Sequence, residues 1–454
     1  MKIVIVGAGE VGFHIASRLA MENKDVVVID ANPEAVKRLS ESIDVQTIIG
    51  SGSSPSVLEE AGIHETEIML AVTDSDEVNL VACLVADTLS PTTKKLARLR
   101  GADFDRYHDA FKTNAPHIDT VINPETEVVR TIQRLMSVPG AVDVGEFADG
   151  RIKFVGVYLD PGSQLADVQL ADLPSVIQED RPLIAAIVRD DRLIIPKGEN
   201  HLRGGDLVYF ISEEKKLSRH LSIFDKHVTP VKRVLIVGGG RIGYRLARRL
   251  EEDVLSVKVV ERRTPRCDYL AEQLDRAVVL HGDGSDQSLL LEENIHDTDL
   301  VVTLTGDEET NILASLLAKR LGAKKTITQI NKFSYFPLMS TIGIEQVVSP
   351  RLSAINTILQ HIRRGKVLSA ISIKGEEGEV MEALALPTSD IVAKPLKRIA
   401  FPKGSMVAGI IRKDTIIIPT GDSIIEPEDR IIIFATRQAV PGVEKILAVK
   451  LEYF

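Results

Sequence analysis

Only two cysteines occur in the chain, Cys83 and Cys267, and neither has a partner at metal-ligand spacing. A disulfide framework and a cysteine-based zinc site are both excluded as organising devices, and a reducing cytosol fits this usage. Long apolar runs are missing as well: none reaches the roughly 18 residues of a membrane-spanning helix. The best candidate, 78–90, is interrupted by Asn79 and Asp87. The opening run 1–6 resembles the start of a secretory leader, but Glu10 and His14 break it and the same pattern returns in mid-chain, so no leader is expected. No block of five or six basic residues exists, and 55 Lys+Arg against 65 Asp+Glu leave a net charge of −10. Neither a nucleic-acid footprint nor a polybasic membrane anchor fits that balance.

Catalytic constellations are also absent. The ten histidines are scattered, none forms H-E-x-x-H, and neither G-x-S-x-G nor a Walker A lysine loop appears. The expectation is a protein that is not an enzyme and has no metal site. What is present is ordinary globular material, 44% hydrophobic and 26% charged over 454 residues, enough for roughly two to four domains.

The chain repeats itself. Gly7-Ala8-Gly9-Glu10-Val11-Gly12 returns as Gly238-Gly239-Gly240-Arg241-Ile242-Gly243, and the acid that closes the next apolar run, Asp30, returns as Glu261, both 231 residues on. Gly50-Ser51-Gly52-Ser53 matches Gly282-Asp283-Gly284-Ser285, and Thr73 with Asn79 matches Thr305 with Asn311, 232 residues on. After Pro124-Glu125 and Pro350-Arg351 each half continues through a helix-like segment into short Ile/Val runs. Residues 184–188 and 193–195 flank the polar turn Arg189-Asp190-Asp191-Arg192, as 407–411 and 416–418 flank Arg412-Lys413-Asp414-Thr415. These read as β-hairpins. The order is therefore large α/β, small α+β, large α/β, small α+β.

Each glycine motif lies between an apolar run of strand length and a segment with helical spacing, the arrangement that lets backbone N–H groups and a helix N-terminus receive a pyrophosphate. An acid 18 residues past the last glycine, Asp30 or Glu261, is placed to accept hydrogen bonds from ribose hydroxyls and to repel a 2′-phosphate. Thr73-Asp74 and Thr305 stand at the carboxyl ends of predicted strands, where such sheets form their ligand crevice; they equally suit a role, with Asn79 and Asn311, in capping the next helix. Arg98 closes a further strand and reads either as a phosphate clamp or as a solvated edge, with Arg100 on the same face. The apolar positions Val128, Val129, Ile132 and Leu135 point to a buried contact, through self-association or through packing within the chain.

These residues resemble the tandem KTN/RCK family, in particular the regulatory subunits of bacterial Trk potassium uptake systems. The motifs that carry the resemblance run the length of the chain: the two glycine loops, 72–79, 122–125, 282–287 and 317–325. The resemblance implies α/β architecture with two Rossmann-like doubly wound parallel sheets, each followed by a small α+β domain: 1–136, 137–222, 231–362 and 363–454. It implies binding of NAD(H) or ATP/ADP through Gly7, Ala8, Gly9, Glu10, Val11, Asp30, Thr73, Asp74 and Arg98. In the second copy the carried-over residues are Gly238, Gly239, Gly240, Arg241, Ile242, Glu261, Asp283 and Thr305. It further implies a dimer or tetramer ring held on the cytoplasmic face of the inner membrane by a Trk-type potassium-conducting membrane subunit, and it favours self-association for the apolar helix face. Two positions depart from the family pattern, Ser51 where Asp283 stands in the second copy and Gln329 where Arg98 stands in the first. A soluble NAD-dependent oxidoreductase with a duplicated domain is the alternative.

Overall fold

The run Lys2–Val6 forms strand β1, and its apolar side chains are buried on both faces, as the middle of a parallel sheet demands. In the computed structural model, which describes residues 1–101, 104, 107–138, 140–177, 181–190, 192–227, 230–362, 366–373 and 377–447, β1 leads into α1 (Glu10–Met21), β2 (Asp25–Asp30), α2 (Pro33–Ser42) and β3 (Gln46–Ile49). The chain then crosses back through α3 (Pro55–Glu60) to β4 (Ile68–Ala71), α4 (Asp76–Leu89), β5 (Lys94–Arg98), α5 (His108–Thr113), β6 (Thr120–Ile122) and α6 (Pro124–Ser137). The strand order β3-β2-β1-β4-β5-β6 is parallel throughout. This is the doubly wound order, whose direction reverses between β1 and β4 and opens a crevice at their carboxyl ends.

An antiparallel sheet follows, built from β7 (Asp143–Phe147), β8 (Ile152–Tyr158), β9 (Leu183–Arg189), β10 (Arg192–Ile194) and β11 (Leu207–Glu213), with α7 (Leu173–Val176) and α8 (Leu217–Ile223). The second half repeats both layers. β12 (Arg233–Val237), α9 (Arg241–Leu250), β13 (Ser256–Glu261), α10 (Thr264–Gln273), β14 (Val278–His281), α11 (Gln287–Glu292), β15 (Leu300–Thr303), α12 (Glu308–Arg320), β16 (Thr326–Gln329), α13 (Phe336–Met339), β17 (Gln346–Val348) and α14 (Pro350–Ile362) make a sheet ordered β14-β13-β12-β15-β16-β17. β18 (Val367–Ile373), β19 (Gly378–Leu384), β20 (Ser405–Arg412), β21 (Thr415–Ile417) and β22 (Arg430–Thr436) make the second antiparallel sheet. Both expected hairpins are present as β9–β10 and β20–β21, although Asp191 of the first turn lies outside the described residues, as do 363–365, 374–376 and 448–454 of the last expected domain. The hairpins are braced alike: Arg189 grips Asp206 at 2.8 and 2.7 Å, and Arg412 grips Asp429 at 3.0 and 2.8 Å. Such two-pronged pairs of a planar guanidinium with a carboxylate fix geometry as well as charge.

The chain divides into two compact units, Met1–Glu127 with Pro350–Ile362, and Val128–Ser349 with Arg363–Phe454. In the first, α14 buries Ala354, Ile355, Ile358 and Leu359 and packs against α1. The sequence grouped 350–362 with the second large domain; in the structure this helix completes the first. In the second unit, Val128, Val129, Ile132 and Leu135 of α6 share a core with Val234 and Ile236 of β12 and Leu246 of α9. The apolar face of α6 is thus spent within the chain, which corrects the expectation that it serves self-association. Duplication explains the exchange, since each large domain presents the same helix-receiving surface. No helix among the described residues is long and apolar enough to cross a membrane.

Candidate functional site

The first glycine loop is shaped by three different demands. Gly7 has φ +113°, and a Cβ there would lie 3.0 Å from the Thr73 backbone N, so the residue combines a left-handed turn with close approach to the end of β4. A Cβ on Gly12 would fall 1.8 Å from the Gly7 carbonyl oxygen, so this glycine lets α1 lie against the loop. Gly9 has open space where its side chain would be, and no side chain caps the N-terminus of α1. A helix end built this way presents N–H groups and a positive dipole end outward.

Around the loop lies a cavity of about 450 Å³. Gly7, Gly9, Glu10 and Val11 line it from the loop and α1, Asp30 from the end of β2, Thr73 and Asp74 from the end of β4, and Arg98 from the end of β5. Ala8 is buried behind them and donates its N–H to Asp30 Oδ2 at 2.6 Å, while Asn32 donates to Oδ1 at 2.8 Å. The structure therefore brings all nine first-copy residues to one place. Glu10, whose charge stands at the loop, is met by Arg38 and by Arg351, each 3.6 Å away.

The capping alternative for Thr73 and Asn79 is resolved in an unforeseen way. The cap of α4 is Ser75, which accepts from Val78 N at 3.1 Å. Fully buried Asn79 instead accepts from Thr73 N and Thr73 Oγ1 at 2.9 and 2.7 Å and donates to the Arg98 carbonyl at 2.8 Å. Its amide ties the end of β4 to the end of β5. Asn311 repeats the arrangement with Thr305 and Gln329. Arg98 is a largely buried cation. Burial, with Arg100 alongside, pulls its pKa below the usual arginine value, and Asp74 at 3.1 Å restores part of the loss. Its Nε has no hydrogen-bond partner. Arg100 turns to its own neighbourhood, donating to the Asp74 carbonyl.

The second loop has the same backbone and a different filling. Gly238 has φ +107° with a Cβ position 2.8 Å from Thr305 N, and a Cβ on Gly243 would fall 2.0 Å from the Gly238 oxygen. Gly239 N donates to Glu261 Oε2 at 3.0 Å, as Ala8 does to Asp30. Burial pushes the Glu261 pKa up, but the backbone N–H groups of Arg263 and Gly239 outweigh it and hold the carboxyl below its ordinary range. Arg266, at the repeat position of Ala35, donates to the carbonyl of Gly239 at 2.7 Å and places its guanidinium 4.5 Å from the Tyr269 ring. Ala35 lines the cavity in the first copy, where Arg38 reaches the matching Ala8 carbonyl at 3.4 Å. Arg241 is exposed, Ile242 packs against the core, and Asp283 accepts from Ser285 N and Oγ, which hold its carboxyl below the usual range. Ser51 bonds Ser53 as Asp283 bonds Ser285, so this departure changes charge and leaves the turn intact.

Two residues escaped the sequence reading. Arg266 had no signal beyond its cationic neighbourhood. Arg351 lines the first cavity from α14; its only signal was the exchange of Glu125 for an arginine in the repeated Pro-Glu/Pro-Arg pair.

The family model described as the TrkA-N domain matches residues 3–124 and again 234–350, and that of the TrkA-C domain matches 380–448. The Trk system potassium uptake protein TrkA of Azorhizobium caulinodans is 37% identical over the whole of both chains, and that of Halomonas elongata is 38% identical, again over all of each. A GsuK channel solved bound to NAD superposes with a TM-score of 0.60 at 18% identity, covering 98% of this chain and 78% of its own. That likeness shows the shared fold. With both glycine-loop domains inside matched segments and the whole length shared with these relatives, the chain belongs to the TrkA family of Trk system potassium uptake proteins, not to a family of enzymes.

Proposed function

We propose that the chain is a cytosolic nucleotide-sensing regulatory subunit that binds an adenine nucleotide, NAD(H) or ATP/ADP, and thereby gates a Trk-type potassium-conducting membrane subunit from the cytoplasmic face of the inner membrane. The observation that carries it is the first cavity, where an open glycine loop and uncapped helix, a ribose-reading acid and a buried arginine converge. In this reading the loop and the start of α1 hold phosphates, Asp30 holds the ribose hydroxyls, and Arg98 pairs with phosphate charge. Asp30 is already oriented by two backbone N–H groups, so it receives a ligand without first being ordered. The full-length similarity to potassium uptake proteins and the NAD held by the GsuK channel support the assignment. We also propose that the chain self-assembles as a dimer or tetramer, as the family resemblance implies.

Titration of the purified chain with NADH, NAD, ATP, ADP and NADPH tests the reading. NADPH should bind at least about tenfold more weakly than NADH, since Asp30 repels a 2′-phosphate. Equal affinity for NADH and NADPH sinks the ribose assignment, and no binding of any of the five sinks the function.

A further inference from the structure

We infer that Arg351, carried into the first glycine-loop cavity by α14, is a further phosphate ligand of that site and sets its preference for nucleotides with a terminal phosphate chain over dinucleotides. The inference rests on the nucleotide reading above. Five charged side chains line the cavity: the acids Glu10, Asp30 and Asp74 and the cations Arg98 and Arg351. Asp30 is committed to two backbone N–H groups, and Arg98 is hydrogen-bonded to Asp74 at 3.1 Å. Arg351 faces Glu10 at 3.6 Å, a looser ion pair with both side chains about a third or more exposed, at 34% and 44%. Such a pair is worth little in water and is readily exchanged for a stronger one. A phosphate carries more charge than a carboxylate and is gripped in the same two-pronged way by a planar guanidinium, so it outcompetes the loosely placed Glu10.

Position makes the exchange specific. Glu10 is the first residue of α1, beside the loop where phosphates would enter, and Arg351 is the second residue of α14, whose buried face is packed on α1. The guanidinium is therefore anchored to the helix that would hold the phosphates. At the repeat position the first half has Glu125, so an arginine here is no general requirement of the helix start. Arg98 and Arg351 come from different elements, β5 and α14, and a triphosphate has charge enough for both. A dinucleotide has two phosphates, already served by the loop, and continues into a neutral ribose.

The test uses the full chain in a Gly240→Asp background, which places an acid at the second loop in open space and confines binding to the first site. Isothermal titration with ATP, ADP and NADH is repeated on Arg351→Gln and on Glu10→Gln, with thermal melts to confirm folding. Arg351→Gln should weaken ATP about tenfold and NADH less than about threefold, while Glu10→Gln should tighten ATP by removing a like charge from beside the phosphates. ATP affinity unchanged in both variants, or ATP and NADH weakened equally by Arg351→Gln, overturns the role of Arg351. Binding of none of the three by the background chain overturns the nucleotide reading itself, so the two failures are told apart.

Discussion

At the scale of the residue, the three glycines of the first loop are not interchangeable, and their variants separate binding from folding. Gly9→Asp puts a carboxylate into open space at an uncapped helix N-terminus. It should leave the melting temperature near wild type, since an acid suits the helix dipole, while abolishing calorimetric nucleotide binding at that site. Gly12→Ala drives a Cβ into the Gly7 carbonyl at 1.8 Å, and denaturant unfolding should show a loss of about 3 kcal/mol, as overpacking against backbone costs. A Gly12→Ala chain as stable as wild type would mean that α1 slides freely on the loop. Arg98→Gln, which copies Gln329 of the second half, should keep folding intact and narrow the difference between ATP and NADH in potassium flux through the reconstituted membrane subunit, because a guanidinium distinguishes a terminal phosphate from a sugar and an amide does not. Flux that still answers the two nucleotides as wild type does would remove Arg98 from the clamp.

At the scale of the element, the repeated sheets are pinned at the amino ends of their central strands. Just before β15, Asp299 accepts from the backbone N–H groups of Lys232 and Arg233 and from Lys324 Nζ. Burial pushes its pKa up, but these donors, led by Lys324, bring it down to about 2. A carboxyl whose folded pKa lies below its unfolded one adds stability above the unfolded value and loses it as pH falls through the folded one. Asp299→Asn should therefore cost about 2 kcal/mol near neutrality, with the gap from wild type closing between about pH 4 and pH 2 in urea melts. A gap that persists to pH 2 would assign the effect to packing. In the first half the same place is taken by Glu67.

At the scale of the whole molecule, each large domain lends its last helix to a core it does not belong to by sequence. Residues 1–227 alone would lack α14 and leave the face of Val128, Ile132 and Leu135 without the β12 and α9 residues that cover it. That fragment should sediment as a dimer or larger species, because duplication lets a second copy supply the missing surface; a well-folded monomer would show that the exchange is dispensable. The sequence by itself determined the duplication and, in each half, the strand, glycine turn, helix and acid that shape the loop, because these rest on local rules: strand-length apolar runs, glycines at the turn, and an acid at fixed spacing from it; the doubly wound order and the full set of nine residues came with the family resemblance. It could not say that Asn79 ties two strands, that Arg266 reaches the carbonyl of one loop and Arg38 the matching carbonyl of the other, or that α14 delivers Arg351 to a cavity over 250 residues away along the chain. Those outcomes depend on which of two near-identical surfaces a helix finds and on where long side chains end, and only tertiary packing sets either.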